Sequence, residues 1–477
     1  MKQMPWLAFT IDRGSRIPVF EQICDGIRMR AVKGDLAAGS LLPPTRVFAT
    51  ELGVSRSTVV TAYEQLVAEG YLQSQPGSGY RLCPVGEVEL PSEAMTLQSV
   101  APEEKSRQVA CFEAGQPDMR LFPYRQWAKT IARICRRNPQ QLLEGGRVFG
   151  NFELRQAIAA HVSEWRGIEA DPNQIIVTAG ATDALEICLR FLAKPGEGIG
   201  VEDPGYLPLL RFVRAQGLKP IYLRVDEQGA TLPVKDKPPK LVALTPSHQF
   251  PLGGAMSPER RQEFLRWALQ ENAWILEDDY DSEFRYAGRP IPALAGFDRL
   301  NRTIYIGSLS KIFSNALRLG YAIVPQELLE GFQGSMRASG LKASIMPQQP
   351  LAEFITSGEF YRHLRRVRRI YGERRKYLLS RLAEDFADFG VVRDTQAGMQ
   401  LVFHLKEAFD DRSLTRLATD RGLRLQALSE HAEEAPGCNG LILGFCAFSE
   451  EEMEPALAVL KSCLEENRDQ VTNSARS

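Results

Sequence analysis

The sequence predicts an α/β protein in two unequal parts: a small helical head closed by a hairpin, and a large body built on a mostly parallel sheet. Three observations carry this expectation. From Cys111 onward, short apolar runs alternate with helical stretches, the pattern of a parallel sheet covered on both faces. Residues 1–83 are compact and punctuated by glycine. Between the two, residues 84–110 (PVGEVELPSEAMTLQSVAPEEKSRQVA) are rich in Pro, Glu and Ser and lack periodicity, as an exposed linker does. A chain of 477 residues is in any case too long for one ordinary core.

In the head, a helix is expected from about Pro18 to Lys33, with Phe20, Ile23, Ile27 and Ala31 at helical spacing. Gly34 and Gly39 end it. A short helix over 44–52 follows, Gly53 makes a turn, and Ser55 is the expected N-cap of a third helix reaching Ala68. Val59, Ala62, Tyr63 and Leu66 form the buried stripe of that helix, which leaves Arg56, Ser57, Val60 and Thr61 elsewhere on its surface. Tyr71–Gln75 and Tyr80–Cys83 flank Pro76-Gly77-Ser78-Gly79, a hairpin signal.

In the body, strands are expected at Gln174–Thr178, Gly198–Val201, Leu241–Leu244, Trp274–Glu277, Thr303–Ile306 and Tyr321–Val324. A long basic helix is expected after about Met336. It opens a smaller α+β unit over about 336–465, with strands near Gly398–Leu405 and Leu441–Cys446. The body as a whole spans 111–465, and the polar tail 466–477 is expected to fray.

Composition narrows the class. With 44% hydrophobic and 25% charged residues the chain reads as soluble and globular. No run approaches the roughly 18 uninterrupted apolar residues of a membrane helix, and MKQMPWLAFTIDRG has no apolar stretch after a basic one. Eight scattered Cys without a CxxC pair suit reduced thiols, hence a cytoplasmic location. The net charge of −1 does not advertise a nucleic-acid binder.

Several residue groups carry chemistry. Ser308-Leu309-Ser310-Lys311 follows the apolar run TIYIGS and precedes Arg318-Leu319-Gly320. Gly180-Ala181-Thr182 follows QIIVTA and opens a helix, where free backbone N–H groups and a hydroxyl suit an anion. Asp278 and Tyr280 end another apolar run in WILEDDYDSEF. That acidic cluster has no accompanying His, so no metal site is expected, and Asp279 and Asp281 are expected as helix-cap or solvent groups.

Residues 41–81 resemble the winged helix-turn-helix of GntR-type regulators, with helices and glycine-rich wing in matching order and spacing. The resemblance implies that Arg46, Ser55, Arg56, Ser57 and Thr58 contact DNA and that Gly77 lets the wing approach a minor groove. Residues 111–465 resemble fold-type I aminotransferases, and head and body together resemble the MocR-like (GabR/PdxR-type) branch of GntR regulators. This implies pyridoxal 5'-phosphate (PLP) as cofactor. Lys311 would form its Schiff base, Asp278 would face the pyridine nitrogen and Tyr280 the phenolic oxygen. Tyr206 would stack on the ring, while Gly180, Ala181, Thr182, Ser308, Ser310 and Arg318 would hold the phosphate.

The chain departs from the aminotransferase pattern in three places. Phe250 replaces the Asn that usually contacts the ring oxygen, so that contact is either missing or moved to Gln249 or His248. Gly145 stands where a Tyr would reach the partner subunit's phosphate, although Leu154-Arg155 is intact. Ile442 stands where an Arg would clamp a substrate carboxylate. The run 362–376 carries eight Lys/Arg and one Glu; it reads as a solvated helix face, or as a surface for DNA backbone or linker. The expectation is therefore a PLP-dependent transcriptional regulator that senses PLP or an amine, with an aminotransferase bearing an accessory DNA-binding head as the alternative. Residues 1–85 carry nine Lys/Arg against seven Asp/Glu, so one head alone is weakly charged. A homodimer on an operator with two half-sites is expected.

Overall fold

The computed structural model describes residues 10–75, 79–85, 109–137, 139–140, 147–234, 236–299, 301–340 and 343–474. The chain divides into two units, Met1–Ser106 and Arg107–Ser477.

The first unit holds helices α1 (Val19–Val32), α2 (Thr45–Leu52) and α3 (Arg56–Ala68), then an antiparallel pair β1 (Leu72–Gln75) and β2 (Gly79–Leu82). The helical spacing of apolar residues places Ile23 and Ile27, Phe48, and Val59, Ala62, Tyr63 and Leu66 in one core, closed by Leu72 and Leu82 of the hairpin. Burying each large side chain contributes about 1.5–3 kcal/mol. Gly53 ends α2 at φ 63°, a left-handed turn that glycine adopts without penalty and that sets the direction of α3. Arg28 of α1 donates to both oxygens of Glu69 at the end of α3, at 2.8 and 2.5 Å.

The second unit is organised by an eight-stranded sheet: β3 (Ile175–Thr178), β4 (Gly198–Asp203), β5 (Lys219–Asp226), β6 (Gly229–Ala230), β7 (Leu241–Leu244), β8 (Trp274–Asp279), β9 (Thr303–Ser308) and β10 (Gly320–Ile323). Their order is β3-β10-β9-β8-β7-β4-β5-β6. Only β10 and β6 run against the others. All six expected strands are present; the two-residue β6 and the longer β5 are additions. The residues of β5 are mostly exposed or half-buried, so it lacks the continuous apolar run that marks a strand covered on both faces.

Helices α4 (Tyr124–Arg137), α5 (Phe152–Arg166), α6 (Ala181–Leu192), α7 (Leu207–Ala215), α8 (Pro258–Gln270) and α9 (Leu294–Phe297) accompany this sheet. Alternate strand residues enter different cores: Ile175, Val177, Tyr305 and Tyr321 join one cluster, while Ile176, Ile304, Ile306 and Ala322 pack with Leu185 and Leu189 of α6 in another.

The chain then passes through α10 (Leu329–Ser339), α11 (Gln348–Thr356) and the 27-residue α12 (Glu359–Asp385). The long basic helix thus starts later than expected, after two shorter ones. A four-stranded antiparallel sheet follows, ordered β11 (Gly390–Val392), β12 (Gln400–Leu405), β14 (Gly440–Gly444), β13 (Gln426–Ala427), with α13 (Asp411–Asp420) and α14 (Glu450–Ser474). α14 runs to Ser474 and buries Met453, Ala456, Leu457, Leu460, Cys463 and Leu464 at helical spacing in its N-terminal part.

The basic run is likewise only partly a solvated face. Arg374 is buried and pairs with Asp118 at 2.8 Å. Arg375 is buried against Asp394 and stacks over Tyr286. Arg362, Arg365, Arg366, Arg369 and Lys376 remain exposed.

Candidate functional site

Strands β3, β9, β8, β7 and β4 share one direction, so their C-terminal ends open on a common edge of the sheet, where α/β proteins place their ligands. β10 runs the other way, and its first residues therefore start at that same edge. A cavity of about 550 Å³ lies there. It is lined by Gly180, Ala181 and Thr182 after β3, Tyr206 after β4, Asp278 and Tyr280 at the end of β8, Ser308, Ser310 and Lys311 after β9, and Arg318 before β10. All ten residues singled out in the body thus meet in one place.

Lys311 is largely buried, and its Nζ donates to the carbonyl of Gly115 at 2.9 Å. Burial holds its amine below the ordinary lysine range, which raises the share of the neutral, nucleophilic form. Asp278 is buried. Burial first, then the charges of Asp279, Glu202 and Asp281, push its carboxyl up to about 7, and Lys311 opposes them. Its Oδ1 has no hydrogen-bond partner.

His248 Nδ1 lies 2.8 Å from Asp281 Oδ1 and 2.8 Å from the Tyr280 hydroxyl. A carboxylate can only accept, so Nδ1 carries the proton and donates to Asp281. The Tyr280 hydroxyl then keeps its own proton for another acceptor in the cavity. Burial, with the surrounding carboxylates, holds that phenol protonated.

The N-terminus of α6 presents, beside Thr182, backbone N–H groups that have no partner within the helix. Gly320 lets β10 approach it: a Cβ there would lie 2.6 Å from the Gly180 carbonyl carbon. Arg318 holds φ 46°, a left-handed conformation that costs a non-glycine residue about 1–2 kcal/mol. Tyr206 meets Phe250 edge-on at 5.6 Å, and Phe250 meets Tyr280 edge-on at 5.8 Å. Gln249 is committed elsewhere: its amide donates to the Pro204 and Phe250 carbonyls and accepts from Leu252 N–H. Of the two residues left open for the ring-oxygen contact, Gln249 is therefore occupied, and His248 acts on the cavity through Tyr280.

The expectation for Asp279 and Asp281 is corrected. Asp279 is buried, pairs with Arg166 at 2.7 Å and accepts from the Tyr305 hydroxyl at 2.6 Å. Asp281 is buried against His248 and the Met399 N–H. Neither faces solvent, because β8 is central and covered on both sides. Arg155 is buried and donates to the Pro172 carbonyl at 2.8 Å; Gly145 lies outside the described residues. Ile442 is fully buried in an apolar cluster with Val402 and Leu428.

Sequence reasoning missed Ala114, Gly115, Asn315, Met399, Gln400 and Gln426, which also line the cavity. No local motif marks them; Asn315 lies between Lys311 and Arg318, and the others arrive from segments distant in sequence. Among the described residues no group of three or more His, Cys, Asp or Glu is placed to hold a metal ion.

In the first unit, Ser55 caps α3 by accepting from Thr58 N–H at 3.1 Å, and its hydroxyl lies 2.7 Å from those of Ser57 and Thr58. Arg46, Arg56 and Ser57 are exposed. Gly77 lies outside the described residues.

Residues 20–82 match the family of bacterial regulatory proteins, gntR family, and residues 109–460 match aminotransferase class I and II. The chain is 36% identical to the probable rhizopine catabolism regulatory protein MocR of Rhizobium meliloti, over 95% of each chain. It is 33% identical to the HTH-type pyridoxine biosynthesis transcriptional regulator PdxR of Corynebacterium glutamicum, over 93% of this chain and 95% of the relative. The chain belongs to the MocR-type GntR regulators.

Solved structures similar to this MocR-type regulator cover its body. An archaeal alanine:glyoxylate aminotransferase matches with a TM-score of 0.70 at 26% identity, covering 76% of this chain and 92% of its own. The α-aminoadipate aminotransferase LysN of Thermus thermophilus matches with a TM-score of 0.68 at 25% identity, covering 75% and 92%. The regulator therefore pairs a GntR head, the DNA-binding module of its family, with an aminotransferase-fold body. Among the described residues no helix is long and apolar enough to cross a membrane.

Proposed function

We propose that the body of this regulator binds PLP at Lys311, senses either the cofactor itself or an amine that reacts with it, and passes that state to a DNA-bound head. The observation that carries the reading is Asp278, a buried carboxylate whose Oδ1 is unpartnered in the same cavity as Lys311 Nζ. An unpaired buried carboxylate is costly, and a protonated ring nitrogen is the partner it lacks.

The remaining residues fit the group. The N–H groups at Gly180, Ala181 and Thr182, with Ser308, Ser310 and Arg318, would hold its phosphate. Tyr206 would cover the ring, and the Tyr280 proton, left free by His248, would meet the phenolic oxygen. When bound, PLP supplies a carbonyl that condenses with amines and a ring that withdraws electrons.

Sensing is favoured over turnover because Ile442 is sealed in an apolar cluster, where a transaminase would orient a carboxylate with Arg. At the head, Arg46, Ser55, Arg56, Ser57, Thr58 and Gly77 would meet the operator. A head with only two excess positive charges is a weak binder alone, so the reading includes a cytoplasmic homodimer on two half-sites. Residues 84–110 would serve as the linker between head and body.

The test is operator affinity of the protein without PLP, with PLP, and with PLP plus a panel of amines. Affinities differing by about fivefold or more are expected. Equal affinities in all three states would overturn the sensor reading. Conversion of a common amino acid to its keto acid at about 1 per second or faster would place the protein among the enzymes.

A further inference from the structure

The wall of the cavity contributed by the smaller sheet has a composition of its own. Gln400 pairs with Gly444, Val402 with Ile442, and Gln426 with Ile442, so these residues share one face of β12, β14 and β13. Gly444 lies against the Glu113–Gly115 segment: a Cβ there would sit 2.2 Å from the Glu113 carbonyl oxygen. That segment carries the Gly115 carbonyl that holds Lys311. The Gln400 face is thereby brought to the reactive amine.

Gln400 is 6% exposed, lines the cavity, and its Nε2 has no hydrogen-bond partner. A buried amide N–H left without an acceptor is costly, so the wall is built around an acceptor that arrives with a ligand. The charges say which acceptor. Among the described lining residues there are four carboxylates, Asp183, Glu186, Asp278 and Asp281, and two cations, Lys311 and Arg318. With Arg318 taken by a phosphate and Lys311 the reacting amine, no cation remains among these lining residues for a ligand carboxylate, and their carboxylates, which only accept, offer it no donor. A neutral hydroxyl both accepts from an amide N–H and tolerates those carboxylates.

We propose that Gln400 is a specificity-determining residue of the effector site, and that the effector is a hydroxylated primary amine without a carboxylate. This rests on the reading that PLP binds at Lys311.

Three probes share one skeleton: 2-aminopropane-1,3-diol carries hydroxyls, 2-aminopropane carries none, and alanine carries a carboxylate. Each is titrated into PLP-loaded full-length protein, with concentrations expressed as free amine. The readouts are the change in cofactor absorbance and the rise in melting midpoint. The diol should act at about fivefold to tenfold lower concentration than either other probe, the factor one neutral hydrogen bond supplies. The diol-to-2-aminopropane ratio is taken within each variant, so a change in PLP affinity cancels. It should fall to near one in Gln400→Leu, and Gln400→Arg should move preference toward alanine. A ratio near one in the wild type, a ratio kept in Gln400→Leu, or alanine matching the diol would overturn the proposal. Protein that takes up PLP but shows no preference sinks this proposal alone. Protein that takes up no PLP sinks the reading beneath it as well.

Discussion

Lys311 Nζ donates to the carbonyl of Gly115 at 2.9 Å, joining two residues 196 positions apart. Gly115 sits at φ 68°, and a Cβ there would come within 2.9 Å of Nζ. The contact places the amine in the cavity, and the left-handed backbone at its other end favours glycine.

Gly115→Ala should therefore weaken PLP attachment by about tenfold, with about 1–2 kcal/mol of lost stability from the left-handed backbone. Borohydride-reduced adduct measured against PLP concentration gives the first, chemical denaturation the second. Lys311→Ala should give no reduced adduct at all. Wild-type PLP uptake by Gly115→Ala would remove Gly115 from the positioning of the lysine.

The Asp278 carboxyl titrates near 7 in the fold and near 3.8 in the unfolded chain. Between those values the folded state binds the extra proton, so stability is greatest at the acid end and falls as pH rises toward 7. Glu202, also pushed up to about 7 by burial, adds a slope of the same sign. Asp278→Asn should flatten the slope and make the PLP-free protein more stable at pH 8, by at most about 2–4 kcal/mol, while weakening PLP binding by tenfold or more. Urea midpoints at pH 5 and pH 8 measure this; an unchanged slope would show that Asp278 does not carry it.

Arg166 and Asp279 form an ion pair at 2.7 Å with both side chains 2% exposed. Arg166→Met should cost about 3–5 kcal/mol, because it leaves a buried carboxylate unpaired. Adding Asp279→Leu should recover much of that loss. Denaturation of the single and double variants decides it, and a mild single-variant effect would count against a fully desolvated pair.

Ser55 and Arg56 should separate at the head. Arg56 is exposed, and Arg56→Ala should weaken operator binding by about 1–3 kcal/mol with cofactor absorbance unchanged. The Ser55 hydroxyl already caps α3, so Ser55→Ala should lower head stability by about 1 kcal/mol. Gel-shift titration and thermal melting of both variants would expose a reversed pattern.

The sequence by itself determined the residues whose roles rest on local chemistry. Lys311 among small residues after an apolar strand, Thr182 at a helix start, Asp278 and Tyr280 at a strand end, and the Ser55 cap are each legible within a few positions. The strand alternation likewise follows from short-range periodicity; what escaped it were β5, near the sheet edge with a mixed face, and the two- and three-residue strands β6, β11 and β13, too short to show a period. Tertiary structure decided what depends on distant partners. Asp279 and Asp281 look like solvent groups in WILEDDYDSEF, but the central place of β8 buries both and supplies Arg166 and His248. Gly115 and Gln400 carry no motif, because what defines them is the lysine or the unfilled space that the fold sets beside them. Burial and pairing across hundreds of residues are properties of packing, and no window of sequence contains them.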